Sequence, residues 1–463
     1  MLKSPQFDAR NWSRDNFQHC DLGDGRRSKR LEKLGQQAAK RPAASLPKMG
    51  ENWGGVKGIY RLLDRSETTL DSVTETHRRE VTQHSGRFLI VSDTTHVDYG
   101  KHRDLEDAGP VGPGGKQQGF LLHSGLSIDA EDRYLVGLAG QVAHVRPRQR
   151  RGRQHASQRL KRWRESEIWP ELFEQVGSPP KGSEFIHVCD SAADNYEAFC
   201  TAKVFKCDFV IRVGRMHRRV VADGVEMPLS EAVSGLSELG RYELEIRQGN
   251  GRKARTAVLR VCVRPIQLCI PRHRSHRVRQ YANAHGDSMK AWALVVEEVD
   301  PPAGAEPICW VLLTTVPIES FEEAWEVVSW YEERWLIEEW HKALKSGCRL
   351  EARQLQRVER LLPLTGVLSV VAVLLIQLQT AARKQPDQPA SKIVPALWLQ
   401  LLKAKKKIKT CDVTNYEFWR AIAKLGGFLG RRHDREPGWQ LIWRGWKELH
   451  TLAEGASLMQ KSG

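Results

Sequence analysis

One short segment carries the side chains whose types and spacing most clearly suggest chemistry: Tyr331, Arg334, Glu338 and Lys345. On an ideal α-helix with about 100° per residue, these four positions and Lys342 fall within about 80° of one another. A carboxylate among Arg, Lys and Tyr side chains on one stripe could hold a cation and a phosphate side by side. The alternative is a solvated helix face with ordinary ion pairs between successive turns.

Three charged residues follow short apolar runs that predict β-strands. Each comes directly after its run: Asp93 after Phe88–Ser92, Asp190 after Phe185–Cys189, and Arg212 after Phe209–Ile211. In open α/β sheets, ligands gather at the carboxyl ends of the strands. We therefore expect these charged side chains to lie near one another at a functional site.

Asp93, Asp190 and Glu338 together could hold two divalent cations. Two such metal ions activate a water or a 3′-hydroxyl and stabilise the leaving oxygen in phosphoryl transfer. Mg²⁺ suits this set because it takes few protein carboxylates and keeps oxygens of substrate and water. Each aspartate alone could instead be a turn residue at a strand end. The nearby Asp98 and Asp194 share that ambiguity.

The charge of the chain indicates a polyanionic partner. Its 463 residues carry 72 Lys and Arg against 56 Asp and Glu, a formal net charge of +16. A folded protein with this excess usually binds nucleic acid, and a membrane surface is the weaker alternative. Basic residues concentrate in four places: Arg26–Arg30, Arg146–Arg164, Arg272–Arg279 and Lys403–Lys409.

Cysteine usage and the lack of a leader favour the cytoplasm. The nine cysteines form no CxxC pair, so neither a disulfide framework nor a zinc site is indicated. The first residues lack the apolar core of a signal peptide. Leu361–Leu378 is the only candidate membrane span, and its Pro, Gly, Ser and Gln residues favour a buried core helix instead.

Changes of pattern along the chain predict an α/β protein with three domains. Residues 1–70 contain short basic helical segments and few β-branched residues, as in a helical DNA-binding domain. Residues 71–383 form the predicted catalytic domain, with a β-rich insertion at about 215–305. CWVLLTTV, from Cys309 to Val316, returns to the main sheet. Residues 384–463 begin with a Pro- and Gln-containing linker and predict a helical C-terminal dimerisation domain, in which Trp439, Trp443 and Trp446 suit packing or a protomer interface.

With these residues in place, the sequence resembles the YREK group of bacterial insertion-sequence transposases, which have a DDE active site in a ribonuclease-H-like fold. The signature Y-(2)-R-(3)-E-(6)-K is satisfied by Tyr331, Arg334, Glu338 and Lys345. The resemblance extends to IVSDTTHVDYG around Asp93, VCDSAAD, FVIRV and the tail, and it covers nearly the whole chain.

The resemblance implies a cut-and-paste reaction on double-stranded DNA. A homodimer pairs the transposon ends, each active site nicks one strand, the freed 3′-hydroxyl forms a hairpin, and the opened ends join target DNA. Asp93, Asp190 and Glu338 would bind two Mg²⁺ ions, for which Mn²⁺ would substitute. The residues expected to hold the strand near the hairpin are Tyr331, Arg334, Lys342, Lys345 and Arg212.

Two further groups of DNA contacts come from the same resemblance. Trp310 matches the aromatic residue that stacks on a flipped base, and its alternative is an ordinary tryptophan of the strand core. LGDGRRSKRL, near the N-terminus, matches the end-binding segment. Arg26, Arg27 and Arg30 of this segment, and Lys40 farther along the same N-terminal domain, are expected to contact DNA. No membrane partner is expected, and the bacterial cytoplasm is the expected location.

Two other functions use the same residues differently. A ribonuclease-H-like nuclease would need the same carboxylates but no paired ends, and Trp310 and the tryptophan-rich tail argue against it. A catalytically silent protein that binds the ends and inhibits transposition would need no carboxylates. The intact set of Asp93, Asp190 and Glu338 argues against that function.

Overall fold

The computed structural model describes residues 8–100, 105–148, 164–246, 254–272, 274–405, 408, 410, 412–431, 434 and 436–462. Most of the basic segment predicted at 146–164, and part of the one at 403–409, lies outside these residues. The chain divides into two compact units. The terminal unit comprises Met1–Gln83, Thr94–Arg150 and Leu336–Gly463, and the central unit comprises His84–Asp93 and Arg151–Trp335. The division into three domains stays a prediction.

The terminal unit opens with helices whose starts are set by capping side chains. The Asp8 and Asp24 carboxylates accept backbone N–H groups of the first turns that follow them, and Thr69 forms a capping box. Gly35 lets two helices approach closely, because a Cβ there would lie 2.5 Å from the ring of Phe17. The helices are α1 (Ala9–Phe17), α2 (Gly25–Lys40), α3 (Leu46–Met49), α4 (Trp53–Leu63) and α5 (Leu70–Thr82).

The first strand is longer than the sequence pattern predicts. β1 spans Arg87–Asp98, so it does not end at Asp93. The residues after Asp93 include the β-branched Thr94, Thr95 and Val97, which favour extended backbone and continue the strand beside its neighbour β3. The other strands of the terminal unit are β2 (Gly109–Val111), β3 (Gln117–Asp129) and β4 (Leu135–His144), which pair in that order.

The central unit is a mixed sheet with helices. β1 and β5 (Glu184–Cys189) are parallel, β5 and β6 (Asp208–Arg212) are parallel, and β12 (Cys309–Thr314) runs antiparallel to β6. The strand from Cys309 therefore pairs with the main sheet as predicted. The sheet continues with β11 (Ser288–Val299), β10 (Arg255–Cys269), β7 (Arg219–Ala222) and β8 (Val225–Pro228), and β9 (Gly240–Ile246) pairs with β10. The elements are α6 (Ile168–Val176), β5 (Glu184–Cys189), α7 (Tyr196–Val204), β6 (Asp208–Arg212), β7 (Arg219–Ala222), β8 (Val225–Pro228), α8 (Leu229–Ala232), β9 (Gly240–Ile246), β10 (Arg255–Cys269), α9 (His276–His285), β11 (Ser288–Val299), β12 (Cys309–Thr314) and α10 (Phe321–Glu332).

The segment predicted as one helix at 331–345 is broken. α10 ends at Glu332, α11 spans Trp335–Lys342, and a π-helical turn spans Ala343–Gly347. The Arg334 N–H donates to the Tyr331 carbonyl at 3.1 Å, which tightens the backbone at the break. α10 packs within the central unit, whereas the chain from Leu336 belongs to the terminal unit. Burial against different partners thus overrides a continuous helical pattern.

The C-terminal helices include one that is almost wholly buried. α12 (Val358–Lys384) contains the predicted core helix, and its residues from Leu361 to Ala382 are nearly all buried. By length and hydropathy alone it would also pass for a membrane span, but 89% of its most apolar window is buried inside the structure. The remaining helices are α13 (Ala396–Ala404), α14 (Asn415–Leu425) and α15 (Trp439–Ser462). Trp443 and Trp446 are buried, which agrees with a packing role.

His77 joins α5 to β4 in the terminal unit, and its buried imidazole should make the free energy of unfolding of the protein depend on pH. Its Nδ1–H donates to Asn16 Oδ1 at 2.6 Å, and its Nε2 accepts the Leu138 N–H at 2.9 Å. Burial lowers the pKa of His77 to about 3. Because the unfolded chain takes up this proton near pH 6.5 and the folded chain does not, the stability from His77 is present above pH 6.5 and is lost as the pH falls.

When the pH falls from 7 to 5, we expect the contribution of His77 to lower the free energy of unfolding by about 2 kcal/mol. Urea unfolding at both pH values measures this change. His77→Gln, whose amide does not titrate, should be less stable at pH 7 but should show a smaller difference between the two pH values. An equal pH dependence in both proteins would contradict this role for His77.

Candidate functional site

Three of the predicted site residues form a row across the parallel strands of the central unit. Ser92 is the register partner of Cys189, and Cys189 is the partner of Ile211. The next residue on each chain is Asp93, Asp190 and Arg212. Because neighbouring strands lie about 4.8 Å apart, the three residues lie side by side. The strand register thus brings the three residues close together, and their role at a functional site stays a prediction.

The two aspartates lie on the face opposite a buried contact. The Ser92 hydroxyl and the Cys189 thiol are 3.2 Å apart, and both side chains are fully buried. Since successive side chains alternate across a strand, Asp93 and Asp190 lie on the other face. Burial raises the pKa of the Cys189 thiol, and the negative charges of Asp190 and Asp93 raise it further. The Asp190 carboxylate also accepts the Ala192 N–H at 2.9 Å, which fixes the turn after β5.

Cationic and aromatic side chains surround this acidic pair. Arg334 Nη1 lies 3.7 Å from Asp93 Oδ2, and both side chains are mostly buried. Burial raises the pKa of the Tyr331 hydroxyl, while Arg334 and a hydrogen bond from Arg212 oppose the rise. The Trp310 ring lies 5.9 Å from the Tyr331 ring. The central unit thus brings together six predicted site residues: Asp93, Asp190, Arg212, Trp310, Tyr331 and Arg334.

Asp194 has a structural environment that distinguishes it from Asp190. Its Oδ2 accepts the N–H groups of Gly214 and Arg215, both at 2.8 Å, and its Oδ1 pairs with the Arg218 guanidinium. Both charged side chains are almost completely buried, and the Arg218 guanidinium lies 4.3 Å from the Tyr196 ring. Asp194 therefore ties the segment after β5 to the loop after β6. The sequence left open whether Asp194 is a metal ligand or a turn residue, and nothing in it pointed to Arg218 as the partner.

Asp93 and Asp190 have the donor chemistry that a magnesium ion takes. Carboxylate oxygens are the protein ligands that Mg²⁺ prefers, and the two side chains occupy adjacent positions in the row. The third predicted ligand, Glu338, belongs to α11 and the terminal unit. Within the described ranges, no group of three or more His, Cys, Asp and Glu side chains forms a metal cluster. The donors fit the ion, and the full ligand set remains a proposal.

The terminal unit holds the carboxylate and lysines of the broken helix. Glu338 lies on α11, whose Ile337 and Trp340 are fully buried. Lys342 Nζ lies 3.0 Å from the Glu339 carboxylate. Lys345, on the π-helical turn, donates to the His96 carbonyl and lies 3.3 Å from Glu351.

Glu351 is a residue that sequence reasoning missed, because no spacing rule links it to the signature. It also accepts the Asp98 N–H at 3.1 Å, so this carboxylate joins Lys345 to the end of β1 within the terminal unit. Asp98 itself accepts the Gly100 N–H at 2.7 Å, as a turn residue does. These contacts favour the turn-residue interpretation of Asp98, which the sequence had left open.

The predicted N-terminal DNA contacts fall into two groups. Arg26 and Arg30 line a groove of about 500 Å³ with Lys29 and Lys33 of the same helix. Arg27 instead donates to Glu67 Oε1 at 2.8 Å, and this hydrogen bond helps to lower the pKa of Glu67 to about 2. Lys40 Nζ lies 3.5 Å from Glu454. The structure therefore offers Arg26 and Arg30 as the more available pair.

Comparison with known families matches both ends of the chain. Residues 9–68 match the transposase DNA-binding family, and residues 370–462 match the transposase Tn5 dimerisation domain. These two matches support a Tn5-like transposase with a DNA-binding domain and a dimerisation domain. The second match names the group more narrowly, as the Tn5 transposases. Neither matched range includes Asp93, Asp190 or Glu338.

Proposed function

We propose that this chain is a cut-and-paste transposase of the YREK group. It binds the ends of its element, cleaves both strands through a hairpin intermediate and joins the 3′ ends to target DNA by two-metal phosphoryl transfer. The observation that carries the proposal is the row of Asp93, Asp190 and Arg212 across three parallel strands. The parallel strands and the acidic pair also support a ribonuclease-H-like catalytic domain.

The proposed chemistry assigns separate tasks to the acidic and basic residues. Asp93, Asp190 and Glu338 would hold two Mg²⁺ ions, or Mn²⁺, which activate the attacking oxygen and stabilise the leaving oxygen when bound. Arg212 and Arg334 bring positive charge to the site, and Arg334 also holds Asp93 in place. Cationic side chains at this position would bind the phosphates of the strand that is cut. Lys342, at the end of the helix that carries Glu338, and Lys345, on the π-helical turn that follows, would add contacts.

Trp310 would receive a flipped base when the hairpin forms. It is half-buried and faces Tyr331, and its position two residues from Leu312, the register partner of Arg212, puts it on the same face of the sheet as Arg212. An indole beside Arg212, which is proposed to bind the phosphates, can stack on an unpaired base. Such stacking contributes about 1–3 kcal/mol.

Trp310→Ala should slow hairpin formation by about 10- to 100-fold, which corresponds to the loss of this stacking. The first nick should change much less, because the base is still stacked in the duplex at that step. Single-turnover assays that separate nicked and hairpin products measure both rates, and Trp310→Phe should retain part of the hairpin rate. Equal slowing of both steps would assign Trp310 to the strand core instead.

The dimer and the DNA substrates complete the proposal. Two protomers would pair two transposon ends, and the joined complex would capture target DNA in the bacterial cytoplasm. The matched dimerisation region and the net charge of +16 support these partners.

The experiment that tests the function is product analysis with the wild-type chain. A duplex that carries the end of its own element and flanking DNA is incubated with Mg²⁺, and the products are resolved on denaturing and native gels. Hairpin-ended fragments are expected. Nicks without hairpins would indicate a nuclease that lacks strand transfer, and binding without cleavage would indicate an end-binding inhibitor.

A further inference from the structure

A second groove in the terminal unit is lined by basic residues from three parts of the chain. It has a volume of about 920 Å³ and lies between the α2–α3 region, the segment after Lys345, and α15. The cationic side chains along it are Arg41, Lys48, Arg349, Arg444 and Lys447. This groove is separate from the one lined by Arg26 and Arg30, and no role described above uses it.

The charges in this groove are unbalanced. Lys48, Arg349, Arg444 and Lys447 are exposed and make no ion pair within the part of the chain that the structure describes. Among the described residues that line the groove, the only acidic one is Glu51, which already pairs with Lys33 at 3.0 Å. A concentration of unpaired cations costs free energy through mutual repulsion, which an anionic ligand would relieve.

Close packing holds the walls of the groove in place. The backbone at Gly347 lies against the Trp443 ring, where a Cβ would come within 1.9 Å of the indole. Trp443 is buried, and Arg444 and Lys447 follow it on α15, three residues apart and therefore on one helical face. The two cations thus project from a wall fixed by a buried contact.

We propose that this groove binds the phosphodiester backbone of duplex DNA without regard to sequence. The ligand is a polyanion because four unpaired cations face a groove with a single, already paired, acid. Duplex DNA carries one negative charge per about 1.7 Å of its axis, so a short stretch could occupy all four cations. The groove begins at Ser346 and Gly347, next to Lys345, so DNA bound there would extend from α11, the helix that carries Glu338, within the same unit. The inference rests on DNA as the partner of the chain but not on the cleavage chemistry.

The test removes two cations from the α15 wall. In Arg444→Ala/Lys447→Ala, the slope of log K against log salt concentration should become shallower by about 1.8, since each lost phosphate contact contributes about 0.9. Affinity at low salt should fall by about tenfold or more. Fluorescence anisotropy is measured with two duplexes: one carries the element's end, and the other is unrelated. Both should lose affinity to the same extent.

A matched control separates the groove from total charge. Lys181→Ala/Lys290→Ala removes two exposed lysines outside the groove and should leave the affinity within about twofold, because it removes no phosphate contact. Light scattering on all proteins measures their oligomeric state. An unchanged salt slope in the Arg444/Lys447 variant, or a loss restricted to the end duplex, would overturn the proposal. Loss of dimers in that variant would also overturn it and would assign the groove to a second copy of the chain.

The salt dependence of DNA binding is measured without any cleavage, so the groove proposal and the proposed reaction are tested separately. If the Arg444/Lys447 variant has a shallower salt slope but the wild-type chain forms no hairpins, the groove proposal is supported and the proposed cleavage reaction is wrong. If the wild-type chain forms hairpins but the salt slope of the variant is unchanged, the cleavage reaction is supported and the groove proposal is wrong.

Discussion

Asp190→Asn should abolish strand cleavage while leaving the fold and the binding of DNA ends intact. Asp190 is the middle residue of the row on β1, β5 and β6, and its carboxylate accepts the Ala192 N–H. Asn keeps an oxygen that can accept this hydrogen bond, so the turn after β5 should persist. It removes the negative charge that would hold a metal ion.

The expected loss of cleavage rate is at least about 1,000-fold, because the metal contributes several kcal/mol to the transition state. Single-turnover cleavage of the end duplex in Mg²⁺ measures the rate, and a gel-shift assay measures end binding. The melting temperature of the variant should lie within a few degrees of the wild type. Retention of more than a tenth of the cleavage rate would remove Asp190 from the proposed metal site.

In contrast to Asp190→Asn, Asp194→Asn should destabilise the fold but retain cleavage in the molecules that remain folded. The Asp194 carboxylate is buried, pairs with the equally buried Arg218 and accepts two backbone N–H groups. Asn leaves the Arg218 charge buried without its counter-ion. Removal of one partner from a buried ion pair typically costs about 3–5 kcal/mol. Urea unfolding monitored by tryptophan fluorescence should show this loss.

The double variant Asp194→Asn/Arg218→Gln provides the control, since it removes both charges. It should recover part of the lost free energy of unfolding, because no isolated charge remains buried. Cleavage per folded molecule of Asp194→Asn should stay near the wild-type rate below its melting temperature. If Asp194→Asn is as stable as the wild type but has lost cleavage, Asp194 would belong to the proposed metal site and the structural role assigned to it here would be wrong.

Local residue patterns predict the row of charges well. Each apolar run of β1, β5 and β6 carries the β-branched and aromatic residues that favour strands, and the charge that follows marks where the apolar pattern stops. The register that aligns Asp93, Asp190 and Arg212 follows from burial of the preceding residues. The continuation of β1 to Asp98 was not predicted, because Thr94–Val97 is polar in part and pairs with a strand whose position the local pattern does not reveal.

Other features depend on contacts between distant parts of the chain. The break between α10 and α11 occurs without Gly or Pro, so helix propensity gives no sign of it. The Asp194–Arg218 pair and the Lys345–Glu351 pair form only once the loops are in place. The basic groove draws cations from positions as far apart as Lys48 and Lys447, and only their meeting in the fold reveals the site.

The most direct test of the central claim compares wild type with Glu338→Gln in cleavage of the end duplex. The claim is that Glu338 acts with Asp93 and Asp190 in one metal-dependent centre, although it lies on a different element. We predict double-strand breaks with a hairpin intermediate for wild type in Mg²⁺, no breaks for Glu338→Gln, and equal end binding by both. Wild-type rates of hairpin formation in Glu338→Gln would contradict the account.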